Sequence, residues 1–487
     1  MNFKMMGRFI AQILFIEAVF LIPALCISLG YKEYDAVIAF VETMAIALAA
    51  GGLLFLVCGK TNRFFGIQEG FLSVGFGWIA LSLVGCLPFL FSGAIPKFID
   101  AFFETVSGFT TTGASILSSV EDLPKGLLYW RSFSHWVGGM GVLVFLLAVA
   151  PSGKGGGFTM HLLRAESPGP DVGKLVPKMR QTAMILYLIY IAMTVINVIF
   201  LLAGRLPVLD AVCIAFGTAG TGGFGVYNDS FASCSPYVIN VTTVFMFLFG
   251  INFSCYYLLL LRQFKAVVKD EELRMYVLIA LCAAVLIGIN IYSKTNALYD
   301  TVGETVMHSA FQVSSIMTTT GFSTVDFNLW PGFSKGILLI LMVIGACAGS
   351  TGGGIKVARV LLTFKSLRRN IRQILNPKKV QVIRNNGSPM DEQVVTNANA
   401  YLAAYVIIVI ISFLVVSMDR FSVETNVSAV LACFNNIGPG MDAVGPMANF
   451  SAYNTLSKSV LIADMLAGRL EIFPILVLFS RSAWSRR

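Results

Sequence analysis

The residues with chemical potential in this 487-residue chain are backbone-exposing tetrads rather than acids, bases or nucleophiles. Thr110-Thr111-Thr112-Gly113 and Thr318-Thr319-Thr320-Gly321 are identical. In a gapless overlay of their upstream segments Phe103 falls on Phe311, Glu104 on Gln312 and Ser107 on Ser315. A second copy ends at Gly220-Thr221-Gly222-Gly223, and the overlay sets a fourth at Ile437-Gly438-Pro439-Gly440. The closing glycines recur on the order of 100 residues apart, a period that marks an internal repeat. A ring of four such extended loops could replace the hydration shell of a K⁺ ion with backbone carbonyls. Glycine permits the angles that turn successive carbonyls inward, and threonine adds a hydroxyl. The expected ion ligands are Thr111, Thr112, Thr221, Gly222, Thr319, Thr320, Gly438 and Pro439. One such tetrad could be an ordinary turn; four behind similar helices argue otherwise.

Such loops need elements to hold them. The chain is 56% hydrophobic and 13% charged, against roughly 25% charged in soluble domains, so lipid is the expected solvent. Runs long enough to cross, about 20 residues each, lie near 9–29, 36–58, 71–91, 127–150, 182–203, 237–261, 275–292, 333–360, 398–417 and 457–479. The shorter semi-apolar stretches 98–109, 209–219, 301–317 and 427–436 each precede a tetrad and read as half-helices of re-entrant loops. Irregular backbone at that depth is tolerated where protein buries it or it lines a wet path. A half-helix also points its partly negative C-terminus at the loop, which favours a cation.

The net charge of +9 suggests nucleic acid only until its distribution is read. Lys4 and Arg8, Lys60 and Arg63, Lys154 to Arg180, Arg262 to Arg274, Lys365 to Arg384 and Arg481 to Arg487 occupy alternate connections. That is the positive-inside pattern, and it predicts cytoplasmic termini. The first apolar run lacks a small-residue cleavage site and is expected to be retained. Nine scattered cysteines and three histidines offer no metal-ligand spacing. No catalytic dyad or triad is visible, so an enzyme is not expected. The reading is an all-α polytopic membrane protein: four helix–pore-loop–helix repeats in pseudo-fourfold arrangement plus two extra N-terminal helices. Its divisions fall at 1–66, 67–180 (repeat 1), 181–272 (repeat 2), 273–395 (repeat 3) and 396–487 (repeat 4).

Over nearly its whole length the sequence resembles the Trk/Ktr/HKT superfamily of K⁺ transporters, most closely its TrkH-type branch. The resemblance rests on the tetrads, His135 to Gly141, Gly250 to Ser254, Asp270 to Arg274 and Ala348 to Lys356. It implies a K⁺-selective pore in the bacterial cytoplasmic membrane, a homodimer with a pore in each protomer, and a cytosolic nucleotide-binding regulator of the TrkA type. It implies K⁺ as the transported ion and no covalent cofactor. It makes Gly113, Gly223, Gly321 and Gly440 the selectivity glycines. In plant relatives serine at the first position accompanies Na⁺ permeation, so glycine throughout favours K⁺. An alternative is a secondary transporter coupling K⁺ to H⁺ or Na⁺, although inverted repeats are not evident.

Control is expected elsewhere. Gly345, Gly349, Ser350, Thr351, Gly352, Gly353 and Gly354 interrupt the 333–360 run, and each glycine costs a helix about 1 kcal/mol. In the family this loop obstructs the pore. A Walker-type reading fails because GxxxxGK[ST] is not satisfied at Lys356. Arg469 lies inside the last run, where an ionisable group is a functional candidate, either as a barrier facing the pore or paired with Asp464 or Glu471. Glu104 and Gln312 are expected to brace pore helices, and Arg131 and His135 to anchor a span near its outer end. The basic segment 363–384 is expected to meet either a partner or anionic lipid.

Overall fold

The computed structural model describes residues 3–59, 67–141, 179–294, 299, 301–378 and 381–481. The cationic segments at 60–66 and 142–178, and the part of the 127–150 run beyond residue 141, lie outside them.

The N-terminal unit is α1 (Phe3–Phe20), α2 (Ile22–Gly30) and α3 (Tyr34–Cys58). Pro23 in the first turn of α2 breaks the first span without ending it. The first pore unit has α4 (Ile67–Gly85), α5 (Leu87–Phe91), the half-helix α6 (Phe98–Phe109) and α7 (Lys125–Gly139). The second has α8 (Met179–Ala203), the half-helix α9 (Val208–Gly220), α10 (Pro236–Phe249), α11 (Phe253–Leu260) and α12 (Phe264–Lys269). The third has α13 (Glu271–Lys294), the half-helix α14 (Val302–Met317), α15 (Gly332–Ile344) and α16 (Val357–Leu375). A two-stranded hairpin, β1 (Arg384–Asn385) and β2 (Ser388–Pro389), follows. The fourth has α17 (Glu392–Val416), the half-helix α18 (Val423–Phe434), α19 (Thr455–Arg469) and α20 (Phe473–Phe479).

The starts are written locally. α7, α9 and α15 begin just after Pro124, Pro207 and Pro331. Ser422 Oγ accepts from the Thr425 N–H to cap α18, and Asn454 Oδ1 from the Ser457 N–H to cap α19. Among the described residues six helices are long and apolar enough to cross a bilayer, and α10 with α11 makes a seventh as a pair bent by 90°. Large apolar side chains such as Leu188, Leu281, Ile289 and Leu414 project from these helices exposed, a pattern suited to lipid rather than water.

Besides the one-residue breaks at Leu21 and Cys86, three expected spans are interrupted. The 333–360 run breaks as expected between α15 and α16. The 237–261 run, expected to be continuous, turns at Gly250–Asn252, where Asn252 Oδ1 accepts from the Ser254 N–H and starts α11. The 457–479 run also breaks, at Leu470–Ile472, with Glu471 and Ile472 at φ 57° and 65°. Gly468 and Pro474 flank the break within the run, and Pro474, in the first turn of α20, cannot continue the preceding helix.

Candidate pore and the loop beneath it

Each half-helix ends in the same backbone figure. Thr111, Thr221, Thr319 and Asn436 have φ of 57°, 53°, 58° and 56°, and two residues later Gly113, Gly223, Gly321 and Gly438 have φ of 78°, 76°, 85° and 98°. The residue between donates its N–H five residues back: Thr112 to Ser107, Gly222 to Gly217, Thr320 to Ser315 and Ile437 to Ala432, at 2.8–2.9 Å. These matches correct the fourth overlay. The segment equivalent to Thr110–Gly113 is Asn435-Asn436-Ile437-Gly438, two residues upstream of Ile437–Gly440. Pro439 and Gly440 lie beyond it; the Gly440 N–H bonds to the Val444 carbonyl at 2.7 Å in the following turn. The TTTG pattern hides the match because asparagine replaces the first two threonines.

The four strands close into a ring. A methyl group built on Gly113 would lie 2.0 Å from the Gly222 oxygen, on Gly223 1.9 Å from that of Thr320, on Gly321 2.0 Å from that of Ile437, and on Gly438 2.8 Å from that of Thr112. Each closing glycine thus abuts the preceding carbonyl of the next strand, and any Cβ would collide. The same four glycines line one open cavity. The half-helices direct their negative ends at this axis.

Side chains hold the strands. The Thr110 and Thr112 hydroxyls share a hydrogen bond of 2.8 Å, as do those of Thr318 and Thr320. Asn436 Nδ2 donates to Thr112 Oγ1 at 2.9 Å, joining the fourth strand to the first. Glu104 is a hub: it pairs with Arg131 at 2.6 Å and accepts from Ser115 Oγ and the Ile116 N–H. Arg131 also donates to the Gly225 carbonyl at 3.0 Å and lies 3.6 Å over the Phe224 ring. Gln312 takes the corresponding place in the third copy and donates to Ser323 Oγ at 2.8 Å. His135 is fully buried: Nδ1 meets the Gly108 carbonyl at 2.7 Å, and Nε2 accepts from the Phe224 N–H at 3.2 Å. The expectation that Arg131 and His135 anchor an outer span end is replaced by this placement between the first and second pore loops. Beyond the ring, hydroxyls of Ser422 and Thr425 hold the Asp442 carboxyl below the usual carboxylate range.

The glycine-rich segment Gly345–Lys356 packs against the inner side of the ring. The Gly353 N–H donates to Thr319 Oγ1 at 2.6 Å and the Gly354 N–H to the Asn435 carbonyl at 3.1 Å. A methyl on Gly352 would lie 2.8 Å from the Thr318 oxygen. Lys356 Nζ folds back onto the Gly352 carbonyl, Thr351 Oγ1 reaches the Phe249 carbonyl at 3.3 Å, and the Gly349 carbonyl accepts from the Phe253 N–H at 3.0 Å. Ser350 Oγ turns back to the Cys347 carbonyl at 2.6 Å. Arg469, the last residue of α19, donates to the Thr351 carbonyl at 2.8 Å and to the Gly138 and Gly139 carbonyls at 2.5 Å each, with Thr111 Oγ1 at 3.4 Å. It therefore ties the loop to the carbonyl end of α7. Of the carboxylates proposed for it, Glu471 pairs with Arg359 and Asp464 accepts from Ser412 Oγ at 2.7 Å. Sequence reasoning missed the part played by Glu272, whose Oε1 accepts from the Ala348 and Ala358 N–H groups at 2.6 and 3.2 Å.

Long lipid-facing helices, four returning loops and a ring of glycines define a polytopic membrane protein of the pore-loop class. The chain belongs to the TrkH family, whose model, described as a cation transport protein, matches residues 37–486. It is 36% identical to the Trk system potassium uptake protein TrkH of Salmonella typhimurium, over 99% of this chain and 100% of that protein. It is 31% identical to the potassium uptake protein TrkG of Escherichia coli, over 95% of each. The crystal structure of the potassium transporter TrkH from Vibrio parahaemolyticus superposes with a TM-score of 0.89 at 30% identity, covering 100% of both chains.

Proposed function

We propose that this protein carries K⁺ across the cytoplasmic membrane through a gated, channel-like pore on the axis of the four loops. The observation that carries the proposal is the repeated strand geometry: four closing glycines, each abutting a neighbour's carbonyl, around one open cavity. Such a ring supplies oxygens to a dehydrated cation without any covalent chemistry. The corrected ligand set is Thr111, Thr112, Gly113, Thr221, Gly222, Gly223, Thr319, Thr320, Gly321, Asn436, Ile437 and Gly438. The Gly345–Gly354 loop and Arg469 form the obstruction on the inner side, and conduction requires that they move. Four similar units, divided near residues 66, 180, 272 and 395, surround the axis.

The proposal includes orientation and assembly. The exposed cations of α16 and the connections poor in Lys and Arg beside the ring favour cytoplasmic termini in a bacterial inner membrane. A homodimer and a cytosolic nucleotide-binding subunit of the TrkA type follow from the family resemblance.

Proteoliposomes containing the purified protein provide the test. K⁺ flux should follow membrane potential and reverse at the K⁺ equilibrium potential, whereas a reversal set by the proton or Na⁺ gradient would support the coupled alternative. Gly113→Ser should admit Na⁺; unchanged K⁺ over Na⁺ preference in that variant would sink the filter assignment.

A further inference from the structure

Three consecutive acids, Asp270, Glu271 and Glu272, start α13, and each grips a different part of the segment that follows α15. Asp270 Oδ1 caps its own helix through the Leu273 N–H at 2.8 Å, while Oδ2 accepts from Asn386 Nδ2 at 2.9 Å. Asn386 Oδ1 in turn accepts from the Glu271 N–H at 2.9 Å, so the turn of the cytoplasmic hairpin is held by a reciprocal pair. Asn386 and Gly387 both have positive φ, 49° and 81°, the conformation of a tight two-residue hairpin turn. Glu271 pairs with Lys365 of α16, whose ammonium also donates to the Arg384 carbonyl of the hairpin at 2.8 Å. Glu272 reaches deeper. Its carboxylate oxygen binds N–H groups at both ends of the buried loop, Ala348 where the loop leaves α15 and Ala358 where α16 begins.

The other side of the loop touches the ring through Gly353 to Thr319 and Gly354 to Asn435. A continuous chain of contacts thus runs from the solvent-exposed turn at Asn386, through one rigid helix start, to the strands at the pore axis. The hairpin is also seated, since buried Ile383 packs with Leu362, Val395 and Ala398. It is therefore packed against both α16 and α17.

We infer that Asp270-Glu271-Glu272 is a strut through which the position of the cytoplasmic hairpin sets the position of the loop under the pore, with Glu272 and Asn386 as its two positioning residues. The inference rests on the loop being the obstruction described above. A contiguous contact path is not by itself coupling; a thermodynamic cycle between the two ends measures it. A cytosolic partner that displaced the hairpin turn would release the same contacts that mutation removes.

The test uses the full chain in proteoliposomes with two readouts. One is basal K⁺ flux; the other is the rate at which buried Cys347, within the loop, reacts with a thiol reagent after the other cysteines are changed to serine. Glu272→Ala should raise both by roughly fivefold or more, a common size for coupling between sites. Glu272→Gln should give a smaller rise, because the amide oxygen still accepts. Asn386→Ala should raise both as well, and the double variant should exceed Glu272→Ala little or not at all. The K⁺ over Na⁺ preference should stay as in the parent. Arg369→Ala, which removes an exposed pair with Glu392, should change neither readout. Parental flux and Cys347 reactivity in Glu272→Gln and Asn386→Ala, or independent multiplication of the two end effects, would overturn the strut. Should the parent pass no K⁺ while Cys347 still responds to Asn386→Ala, the pore reading fails and the strut survives.

Discussion

At the scale of single residues the pore depends on atoms that have no side chain to mark them. The glycine positions 113, 223 and 321 were legible because identical or similar tetrads surround them. The fourth was not, because Asn435 and Asn436 stand where threonines stand in the first and third copies. Asn436 shares with Thr111, Thr221 and Thr319 a left-handed backbone that asparagine tolerates better than most residues, and composition does not display dihedral angles. The correction makes a sharp prediction. Gly438→Ala should lower K⁺ over Na⁺ selectivity by roughly tenfold or more, about 1.4 kcal/mol of discrimination, because the new methyl meets the Thr112 and Gly113 carbonyls. Gly440→Ala should leave selectivity alone, its methyl meeting Val444 and Ser428 instead. Ion competition in a flux assay separates the two. The Glu104–Arg131 pair makes a second one. Both side chains are almost wholly buried, 0% and 3% exposed, and removing one partner of such a pair costs on the order of 3–5 kcal/mol. Glu104→Ala should therefore lower the melting temperature of the purified protein markedly. Glu104→Gln should lower it less, since the amide oxygen can still accept from the Ile116 N–H.

At the scale of elements, hydropathy placed the long helices well, since a bilayer demands length and apolarity of every one of them. The half-helices were legible from their shortness. The breaks were legible only where residue type announces them. Five glycines between 345 and 354 mark the loop, while Gly250 and Asn252 are a weaker signal. Leu470-Glu471-Ile472 is announced by the flanking Gly468 and Pro474, which the reading of one continuous run passed over; the β-branched residue at positive φ is held by its surroundings, here by the Ile472 N–H to Ala467 carbonyl bond at 2.7 Å and the Arg359–Glu471 pair. That break has a consequence, because it makes Arg469 a helix end rather than a mid-span charge. Its guanidinium reaches the carbonyl ends of α7 and the centre of the loop at once. Charge-assisted hydrogen bonds contribute about 1.5–3 kcal/mol each, and Arg469→Ala removes several while deleting a positive charge beside Thr111. Basal K⁺ flux should rise several-fold, with the K⁺ over Na⁺ ratio unchanged because the strands keep their own bonds. Flux equal to the parent at equal protein density would assign Arg469 to packing alone.

At the scale of the whole molecule, selectivity and control occupy opposite sides of one ring. The open cavity is floored by glycines 113, 223, 321 and 438; the loop packs against the strands through Thr319 and Asn435, and on the proposed reading it and Arg469 close the inner side. The charge pattern gives this axis a direction. Asp100, Asp210, Glu304 and Glu424 lie in the first turns of the half-helices, where a carboxylate suits the positive end of the helix dipole. Arg368, Arg372 and the Arg369–Glu392 pair lie at the far end of the inner helix α16. In the orientation proposed above, the positive-inside rule places this end of α16 on the cytoplasmic side, and K⁺ would enter from the glycine floor towards the loop. Lys335 lies at the start of α15 and Arg372 near the end of α16, on opposite faces of the membrane in the proposed orientation. With exposed Cys26 and Cys282 first changed to serine, Lys335→Cys should react with a membrane-impermeant maleimide on intact cells, and Arg372→Cys only after the membrane is opened. The reverse pattern would invert the molecule, and with it the assignment of the acidic strut to the cytoplasmic face.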